Sequence, residues 1–402
     1  MADNGMDRRD FMKSTAAGFG GFFFLSANEM KPEETTKNPP REPKIIYRTL
    51  GKTGIKLPVI NMGVMNSSNP NLVRAALNSG MVLLDTATTY QRSTNEKMIG
   101  EVVKERPRDS YVIATKAHPP TDRSTGLYTK EATEDDFQKK IDASLKNLGL
   151  DYIDIYHHHG VSVRESALYE PVLNALEKAK KAGKIRFIGI STHKNEPEVL
   201  QAAIDSKFYD VLLTTYNFKQ KHQVEIRECI AKAASAGMGV IVMKAMGGVQ
   251  LQERAEKPVE PVPALKWVLQ DSNVHTIIAG FTTFDQMNLD LSVMEDPALT
   301  RSEKARLQWA AFHAGLYCQG CGQCLEQCPQ ELPIPDLMRA YMYVYGYRNL
   351  SHAQDLLLSL NLPPRVCGDC DECPVKCSIG FNVSRKIQDV IRLRDVPAEF
   401  IA

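Results

Sequence analysis

The sequence has no marked excess of charge of either sign. Its formal net charge is +1, and charged residues make up 24% of its 402 residues. Neither a basic surface for nucleic acid nor an acidic solvating tail is therefore predicted. Long apolar runs are missing too, because no run reaches the roughly 18 residues that a membrane-spanning helix needs. The length suffices for two or three domains with a large core.

A glycine-rich dinucleotide fingerprint is also absent, since "NMGVMNSSNP" after the first strand-like run contains no G-x-G-x-x-G. Eight short apolar runs alternate with segments of helical periodicity. The runs are LPVINMG, MVLLDTA, YVIATK, YIDIYHHH, IRFIGIS, DVLLTTYN, MGVIVMKA and HTIIAGF. In one intervening segment, Phe137, Ile141, Leu145 and Leu148 share a helical face. This alternation predicts parallel βαβ units, and eight of them favour a (β/α)8 TIM barrel over a doubly wound sheet.

Cysteine is scarce over most of the chain and concentrated near its end. Of nine cysteines, only Cys229 stands apart, in a helical pattern where a small buried hydrophobe is expected. The other eight form two runs, "CQGCGQCLEQCP" and "CGDCDECPVKC", each spaced C-x2-C-x2-C-x3-C. They are Cys318, Cys321, Cys324, Cys328, Cys367, Cys370, Cys373 and Cys377. This spacing is that of bacterial ferredoxins and predicts two [4Fe-4S] clusters rather than zinc or disulfides.

The fourth cysteine of each run is expected to bind the cluster of the other run, as in two-cluster ferredoxins. The expected sets are Cys318, Cys321, Cys324 with Cys377, and Cys367, Cys370, Cys373 with Cys328. Helical patterns, "IPDLMRAYMYVYGY" and "SHAQDLLLSL", separate the runs. We therefore predict a barrel over residues 45–310 followed by a small, mainly helical ferredoxin-like domain over residues 311–402.

Polar side chains follow the predicted strands at the ends that carry the active site in such barrels. Asp85 and Tyr90 follow the second strand, Lys116 the third and His157 to His159 the fourth. A phenol can donate a proton to a carbonyl oxygen. We expect Lys116 to lower the pKa of Tyr90 from its ordinary value of about 10. Asp85 would balance the lysine charge, and one of the histidines would orient the substrate oxygen or relay a proton.

These stretches resemble successive landmarks of the aldo-keto reductase family. The motifs "YRTLGKTGIKLP", "LLDTATTY", "IATKAH", "LGLDYIDIYHHH" and "GKIRFIGIST" occur in the family's order, and the resemblance spans roughly residues 45–297. It implies that Asp85, Tyr90, Lys116 and His159 form the catalytic tetrad. A metal site at His157–His159 is an alternative. Against it, adjacent strand residues point to opposite faces and cannot all converge on one ion.

The resemblance also implies a nicotinamide cofactor across the barrel mouth. Ser191 and Thr192 fall where the family holds the carboxamide, and Tyr216 falls where a ring stacks on the nicotinamide. The positions implied for the pyrophosphate and adenosine are Lys244, Gly280, Thr282, Thr283, Gln286 and Asp290. No cation follows Gly280 for at least ten residues. Because an NADP 2′-phosphate would need one, no preference for NADP is expected.

The first thirty residues resemble a twin-arginine export signal. Arg8, Arg9, Phe11 and Lys13 precede a short, glycine-containing apolar stretch. The stretch ends in "LSA", a poor cleavage site, which leaves open a retained signal that tethers the protein. A proline-rich linker follows over residues 31–44. We expect twin-arginine machinery to export the protein folded, with its clusters, to the periplasm.

Two hypotheses for function follow. In the first, the chain is an oxidoreductase that interconverts a small-molecule carbonyl and alcohol, with a sugar among the candidates. In the second, it is an exported electron-transfer protein whose clusters serve a redox partner and whose barrel is a docking scaffold. An exported protein meets no pool of reduced nicotinamide. NAD(P) would therefore travel tightly bound, or the barrel would work without it.

The export hypothesis predicts the effect of a conservative change in the signal. Replacing Arg8 and Arg9 together by lysine keeps the charge but removes the guanidinium pair, so folded, cluster-containing protein should accumulate in the cytoplasm. Cell fractionation with iron analysis of each fraction measures this. Arg41→Lys, the same change in the linker, is the matched control. Unchanged export of the double variant would refute the twin-arginine assignment.

Overall fold

The computed structural model describes residues 44–247, 260–311, 318, 320–367, 370 and 372–401. The predicted signal, residues 1–30, and nearly all of the linker lie outside these residues. The α-helices described are α1 (Pro70–Asn78), α2 (Asn95–Val103), α3 (Glu134–Leu148), α4 (Arg164–Ala167), α5 (Glu170–Lys181), α6 (Glu196–Ser206), α7 (Gln223–Ser235), α8 (Pro261–Leu269), α9 (Phe284–Glu295), α10 (Arg301–Ala311), α11 (Ile334–Tyr345), α12 (Leu350–Ser359) and α13 (Val383–Ile391). Among the described residues, no helix combines the length and apolar character that would let it cross a membrane.

Eight strands close into a parallel barrel in the order β10-β3-β4-β5-β6-β7-β8-β9. The strands are β1 (Tyr47–Thr49), β2 (Lys56–Pro58), β3 (Ile60–Gly63), β4 (Leu83–Asp85), β5 (Val112–Ala117), β6 (Ile153–His158), β7 (Ile185–Thr192), β8 (Val211–Thr215), β9 (Gly239–Met243) and β10 (Thr276–Ala279). Each of the eight predicted strand runs is a barrel strand, so the predicted TIM barrel is confirmed. The antiparallel β1–β2 hairpin packs Leu50, Ile55 and Leu57 against the apolar side chains inside the barrel.

Amphipathic helices cover the outside of the barrel. In α3, Phe137, Ile141 and Leu148 are buried in the predicted apolar face. The Thr133 hydroxyl accepts a hydrogen bond from the Asp136 amide and caps the helix. Gly149 ends it with a φ of 64°, a left-handed conformation that glycine adopts without strain. These local signals fix where the helix begins and ends, and the chain then enters the next barrel strand.

The C-terminal region adds α11, α12 and α13, which share an apolar core. This helical region confirms the predicted architecture. It belongs to one compact unit with the barrel, residues 43–402. The Asn349 amide donates a hydrogen bond of 2.9 Å to the Asn66 side chain, and Arg92 lies 3.7 Å from the Asp355 carboxylate. The helices are therefore held over the loops that follow β3 and β4.

Candidate active site

A cavity of about 800 Å³ opens at the carboxyl ends of the barrel strands. This volume is in the range of small-molecule sites. The barrel supplies Asp85, Tyr90, Lys116 and His159 to its wall, and α11 and α12 cover it from the other side. The structure thus brings together the four residues that the sequence nominated for catalysis.

The four side chains have a defined geometry. The Lys116 ammonium donates hydrogen bonds to the Asp85 carboxylate and to the Thr86 carbonyl oxygen, the latter over 2.7 Å. Its nitrogen lies 4.9 Å from the centre of the Tyr90 ring. Tyr90 and His159 meet edge to face with their ring centres 6.4 Å apart. The phenol therefore lies between a buried cation and an imidazole.

Burial is the largest cause of the pKa shifts of Asp85, Tyr90 and Lys116. It raises the pKa of Asp85 and lowers the pKa of Lys116, and each partner's charge opposes the shift. Burial, followed by the negative charge of Asp85, raises the pKa of Tyr90 well above its ordinary value. The expectation that this pKa lies below its ordinary value is therefore wrong, because burial disfavours the phenolate and the charge of Asp85 adds to the effect. Tyr90 stays protonated and available as an acid.

The three consecutive histidines point in different directions. His159 stacks on His118 with ring centres 3.7 Å apart. His158 lies on the other side of the strand, where it hydrogen-bonds the hydroxyls of Tyr128 and Tyr209. The His157 ring is fully buried in the barrel. Only His159 of the three lines the cavity.

The segment of residues 334–359 covers the mouth of the cavity, and we call it the roof. The roof residues that line the cavity are Asp336, Arg339, Tyr343, Tyr347, His352, Asp355, Leu356 and Ser359. His352 meets Tyr90 edge to face at 6.3 Å and packs on Tyr343 at 4.5 Å. Burial lowers the pKa of His352 to about 4, so its ring is neutral at pH 7. Tyr90 thus lies between one histidine of the barrel and one of the roof.

The loop that carries Tyr90 is strained beside the roof. Gln91, Arg92 and Ser93 all have positive φ, of 51°, 51° and 65°. Such conformations are costly for residues other than glycine and persist only where surrounding contacts impose them. The Arg92 contact with Asp355 supplies one such contact from the roof. The position of Tyr90 therefore depends on both parts of the molecule.

Two of the residues implied for a dinucleotide line the cavity, Lys244 and Gly280. A Cβ added at Gly280 would meet only the Gly63 carbonyl oxygen, at 3.8 Å, so the wall is open there. Burial, followed by the charge of Arg339, lowers the pKa of Lys244 to about 7. The charged lining is mainly cationic, with Arg92, Lys116, Arg123, Lys194, Lys244 and Arg339 against Asp85, Asp336 and Asp355. This part of the cavity fits an anionic group.

The residues implied for the nicotinamide itself do not line the cavity. The Ser191 hydroxyl accepts a hydrogen bond from the Gly160 amide, and the Thr192 hydroxyl donates one to the Lys194 carbonyl oxygen, both over 2.9 Å. Tyr216 is buried against Trp267, with ring centres 5.0 Å apart. These side chains stabilise the barrel in the structure described.

The adenosine positions lie outside the cavity as well. The Gln286 side chain accepts a hydrogen bond of 2.8 Å from the Thr282 amide, and the Thr283 hydroxyl caps α9. Asp290 is fully buried, and neither carboxylate oxygen has a hydrogen-bond partner among the described residues. Burial raises its pKa to about 8. The family resemblance places an asparagine at this position.

Four thiols form what we call the first cysteine site. Cys318, Cys321, Cys324 and Cys377 line one pocket together with Ile334, Pro335 and Met338 of α11. The Gly320 amide donates a hydrogen bond of 3.4 Å to the Cys318 sulfur. Gly320 and Gly322 have φ of 66° and 73°, which lets the loop wrap around these sulfurs. This set equals the crossed ligand set that the sequence implies.

A second cysteine site contains the remaining four thiols. Burial, followed by the charges of Cys373, Cys328 and Cys370, raises the pKa of the Cys367 thiol to about 11, which places these thiols near one another. Gln330 joins the two runs, since its side chain accepts a hydrogen bond of 3.1 Å from the Cys367 amide. Among the described residues, no three His, Cys, Asp or Glu side chains are arranged so that they could bind one metal ion. This holds for both cysteine sites.

Several site residues were not found from the sequence. His118 and His193 follow barrel strands in "IATKAH" and "GISTH", so position alone could have nominated them. Arg339, Tyr343 and His352 carry no such signal, because they reach the cavity only through the docking of the roof on the barrel. That docking depends on tertiary contacts between distant parts of the chain.

The chain belongs to the aldo/keto reductase family. The family's model matches residues 61–263, just over half of the 402 residues. The chain is 33% identical over 163 residues to L-galactose dehydrogenase of Arabidopsis thaliana, covering 37% of this chain and 49% of that protein. It is 30% identical over 172 residues to L-glyceraldehyde 3-phosphate reductase of Escherichia coli, covering 40% and 49%. The chain thus spans about half the length of these curated relatives.

The fold is also found in solved structures. The holo form of an aldo-keto reductase from Bacillus halodurans is 22% identical, with a TM-score of 0.55, covering 66% of this chain and 96% of that chain. An aldo-keto reductase from Pseudomonas aeruginosa that is 22% identical has a TM-score of 0.51 and covers 63% and 96%. At these identities the likeness supports the barrel fold alone.

The buried Asp290 generates a prediction about stability and pH. The pKa of Asp290 is raised from 3.8 to about 8 in the folded protein. The free energy of unfolding is therefore highest below about pH 4, where the carboxyl is protonated in both states, and it falls as the pH rises towards 8. Asp290→Asn removes this loss. Its advantage over the native protein in free energy of unfolding should therefore widen by about 1.4 kcal/mol per pH unit between pH 5 and 7. Anaerobic denaturant unfolding measures it.

Asp285→Asn, an exposed change on the same helix, is the matched control. An equal widening in this control would show that burial of Asp290 is not the cause. A constant difference for Asp290→Asn would show that its carboxyl does not hold a proton in the folded protein.

Proposed function

We propose that the protein is an oxidoreductase that interconverts a carbonyl and an alcohol, with Tyr90 as the general acid and base. The observation that carries this proposal is the position of Tyr90, between Lys116 and His159 in the wall of an 800 Å³ cavity. This arrangement favours catalysis over the alternative that the barrel is a docking scaffold, because a scaffold needs no buried ion pair under a phenol.

The residues divide the chemical work. Tyr90 donates its proton to the oxygen of a carbonyl substrate in reduction and accepts it back in oxidation. The Lys116 ammonium lies 4.9 Å from the ring centre and stabilises the negative charge that develops on the phenol oxygen. Asp85 holds Lys116 in place and charged. His159 binds the same substrate oxygen and orients it towards the phenol.

NAD(P), when bound, would supply or accept the hydride. Lys244 and Gly280 would hold its pyrophosphate, because one offers a cation and the other an open wall. Retention through export requires tight binding. The absence of a cation among the ten residues after Gly280 predicts no preference for the 2′-phosphorylated form.

A small polyhydroxylated carbonyl compound or alcohol is the proposed substrate class. The cavity presents neutral imidazoles and tyrosine hydroxyls, which hydrogen-bond hydroxyl groups, beside cations that suit a phosphate or carboxylate. The names of the two curated relatives describe action on a sugar and on a triose phosphate. These compounds are the first probes for activity.

Each cysteine site is proposed to hold one [4Fe-4S] cluster, for electron transfer or for structure. Two complete four-cysteine runs and their grouping into crossed sets support this assignment. A single zinc ion in either site would instead bind the cysteine sulfurs at about 2.3 Å each, which would bring those sulfurs into contact with one another. Export by the twin-arginine route, with or without a retained signal, remains the proposal for location, and a redox partner there would exchange electrons with the clusters.

Tyr90→Phe tests the catalytic proposal. The change removes one hydroxyl and keeps the ring, so turnover should fall about 10²–10⁴-fold while fold and iron content stay constant. Oxidation of L-galactose and reduction of L-glyceraldehyde 3-phosphate are the assays. Tyr343→Phe, which removes a hydroxyl from the roof side of the same cavity, is the control and should change KM more than kcat. Full activity of Tyr90→Phe would remove Tyr90 from the mechanism.

Metal analysis tests the cluster proposal. Anaerobically purified protein should contain about eight iron and eight acid-labile sulfide per chain. Cys377→Ser should damage the cluster of the first cysteine site, although Cys377 belongs to the second run. Cys229→Ser, outside both runs, should leave the iron content unchanged. Stoichiometric zinc with negligible iron would refute the clusters, and damage confined to the second site would refute crossed ligation.

A further inference from the structure

One helix separates the first cysteine site from the active-site cavity. Ile334, Pro335 and Met338 of α11 line the cysteine pocket. Asp336, Arg339 and Tyr343 of the same helix line the cavity. Because helical residues three or four apart share a face, these are two faces of one helix. The two sites are therefore separated by roughly 10 Å, the diameter of a helix with its side chains.

Two cations lie on the cavity side of this helix, since Arg339 and Lys244 both line the cavity. Arg339 follows Pro335 by four residues, so it is a neighbour on the helix surface of a residue that lines the cysteine pocket. After burial, the charge of Arg339 contributes to lowering the pKa of His118, His193 and His352 around the cavity. Arg339 forms an ion pair of 3.6 Å with Asp336, which orients it on the helix.

We propose that the metal group at the first cysteine site is electrostatically coupled to anion binding in the active-site cavity, through Arg339. The second cysteine site should show a smaller coupling, because none of its described thiols lines the pocket formed by Ile334, Pro335 and Met338 of α11. The inference rests on the proposed clusters but goes beyond them: it identifies which cluster responds to the cavity and through which residue.

The sign of the coupling follows from charge. Reduction adds one electron to the metal group and forms or breaks no bond in the protein. A bound anion adds negative potential nearby, so it makes this reduction harder. By thermodynamic linkage, reduction of the metal group must weaken binding of the anion by the same factor. One unit charge at roughly 10 Å changes the equilibrium on the order of tenfold, which for a one-electron couple is about 59 mV.

Reduction potentials of charge variants test the coupling without any knowledge of the substrate. In an anaerobic titration of the full holoprotein, followed by electron paramagnetic resonance, two one-electron waves should appear. Arg339→Gln removes the cation and leaves Asp336 unpaired, so one wave should move to lower potential by tens of millivolts, up to about 59 mV for a tenfold effect. Arg339→Lys keeps the charge and should largely restore the potential. Arg301→Gln, an exposed change on α10, is the control.

The moving wave is assigned with cysteine variants. It should be lost in Cys377→Ser and retained in Cys373→Ser. Inorganic phosphate, compared with chloride at equal ionic strength, is the anion probe. It should lower the same wave in the native protein and have a smaller effect in Arg339→Gln.

Four results would overturn the proposal. They are equal movement of both waves, movement no larger than in Arg301→Gln, assignment of the moving wave to the second site, and a phosphate effect that is absent or independent of Arg339. Protein without iron would overturn it by refuting the clusters themselves, and metal analysis distinguishes that case from a failure of coupling.

Discussion

The buried pair of Lys116 and Asp85 is the interaction on which the site depends. An ammonium that is 1% exposed is costly unless a carboxylate and a further acceptor accompany it, and here Asp85 and the Thr86 carbonyl oxygen do so. Both partners sit on neighbouring strands, so barrel closure itself fixes their distance. The rigid cation then defines where a negative charge on the Tyr90 oxygen would be stabilised, while burial keeps the phenol protonated at rest.

The second constraint concerns the roof. Its helices are short, of 12 and 10 residues, and isolated helices of this length are marginal in water. They gain stability from a small shared core against which several cysteines of the two runs also pack. The two cysteine runs bracket the roof in sequence. Metal groups at both ends, as proposed, would therefore restrain the same segment that delivers His352 to Tyr90, and such clusters would have a structural role whether or not they transfer electrons.

Much of the fold could be predicted from the sequence, because barrel strands and amphipathic helices are encoded by local periodicity. The tetrad could be nominated for the same reason, since each member follows a recognisable strand. The ionisation of Tyr90 was predicted in the wrong direction. The sequence indicates that Lys116 is near, but it does not show that burial and the charge of Asp85 both raise the pKa of the phenol. The roof could not be foreseen, since its side chains reach the cavity only by long-range docking.

The dinucleotide positions show where a family resemblance stops being informative. Ser191, Thr192 and Tyr216 occupy the implied positions, yet their side chains pack within the barrel. Lys244 and Gly280 face the cavity, where Arg339 from the roof adds a cation. The cations that face the cavity here are thus Lys244, just after β9, and Arg339 on α11, and the loop after β10 supplies none. A ligand phosphate in this protein would be held between the barrel and the C-terminal region. The roof then belongs to the binding site, and the barrel alone would form an incomplete one.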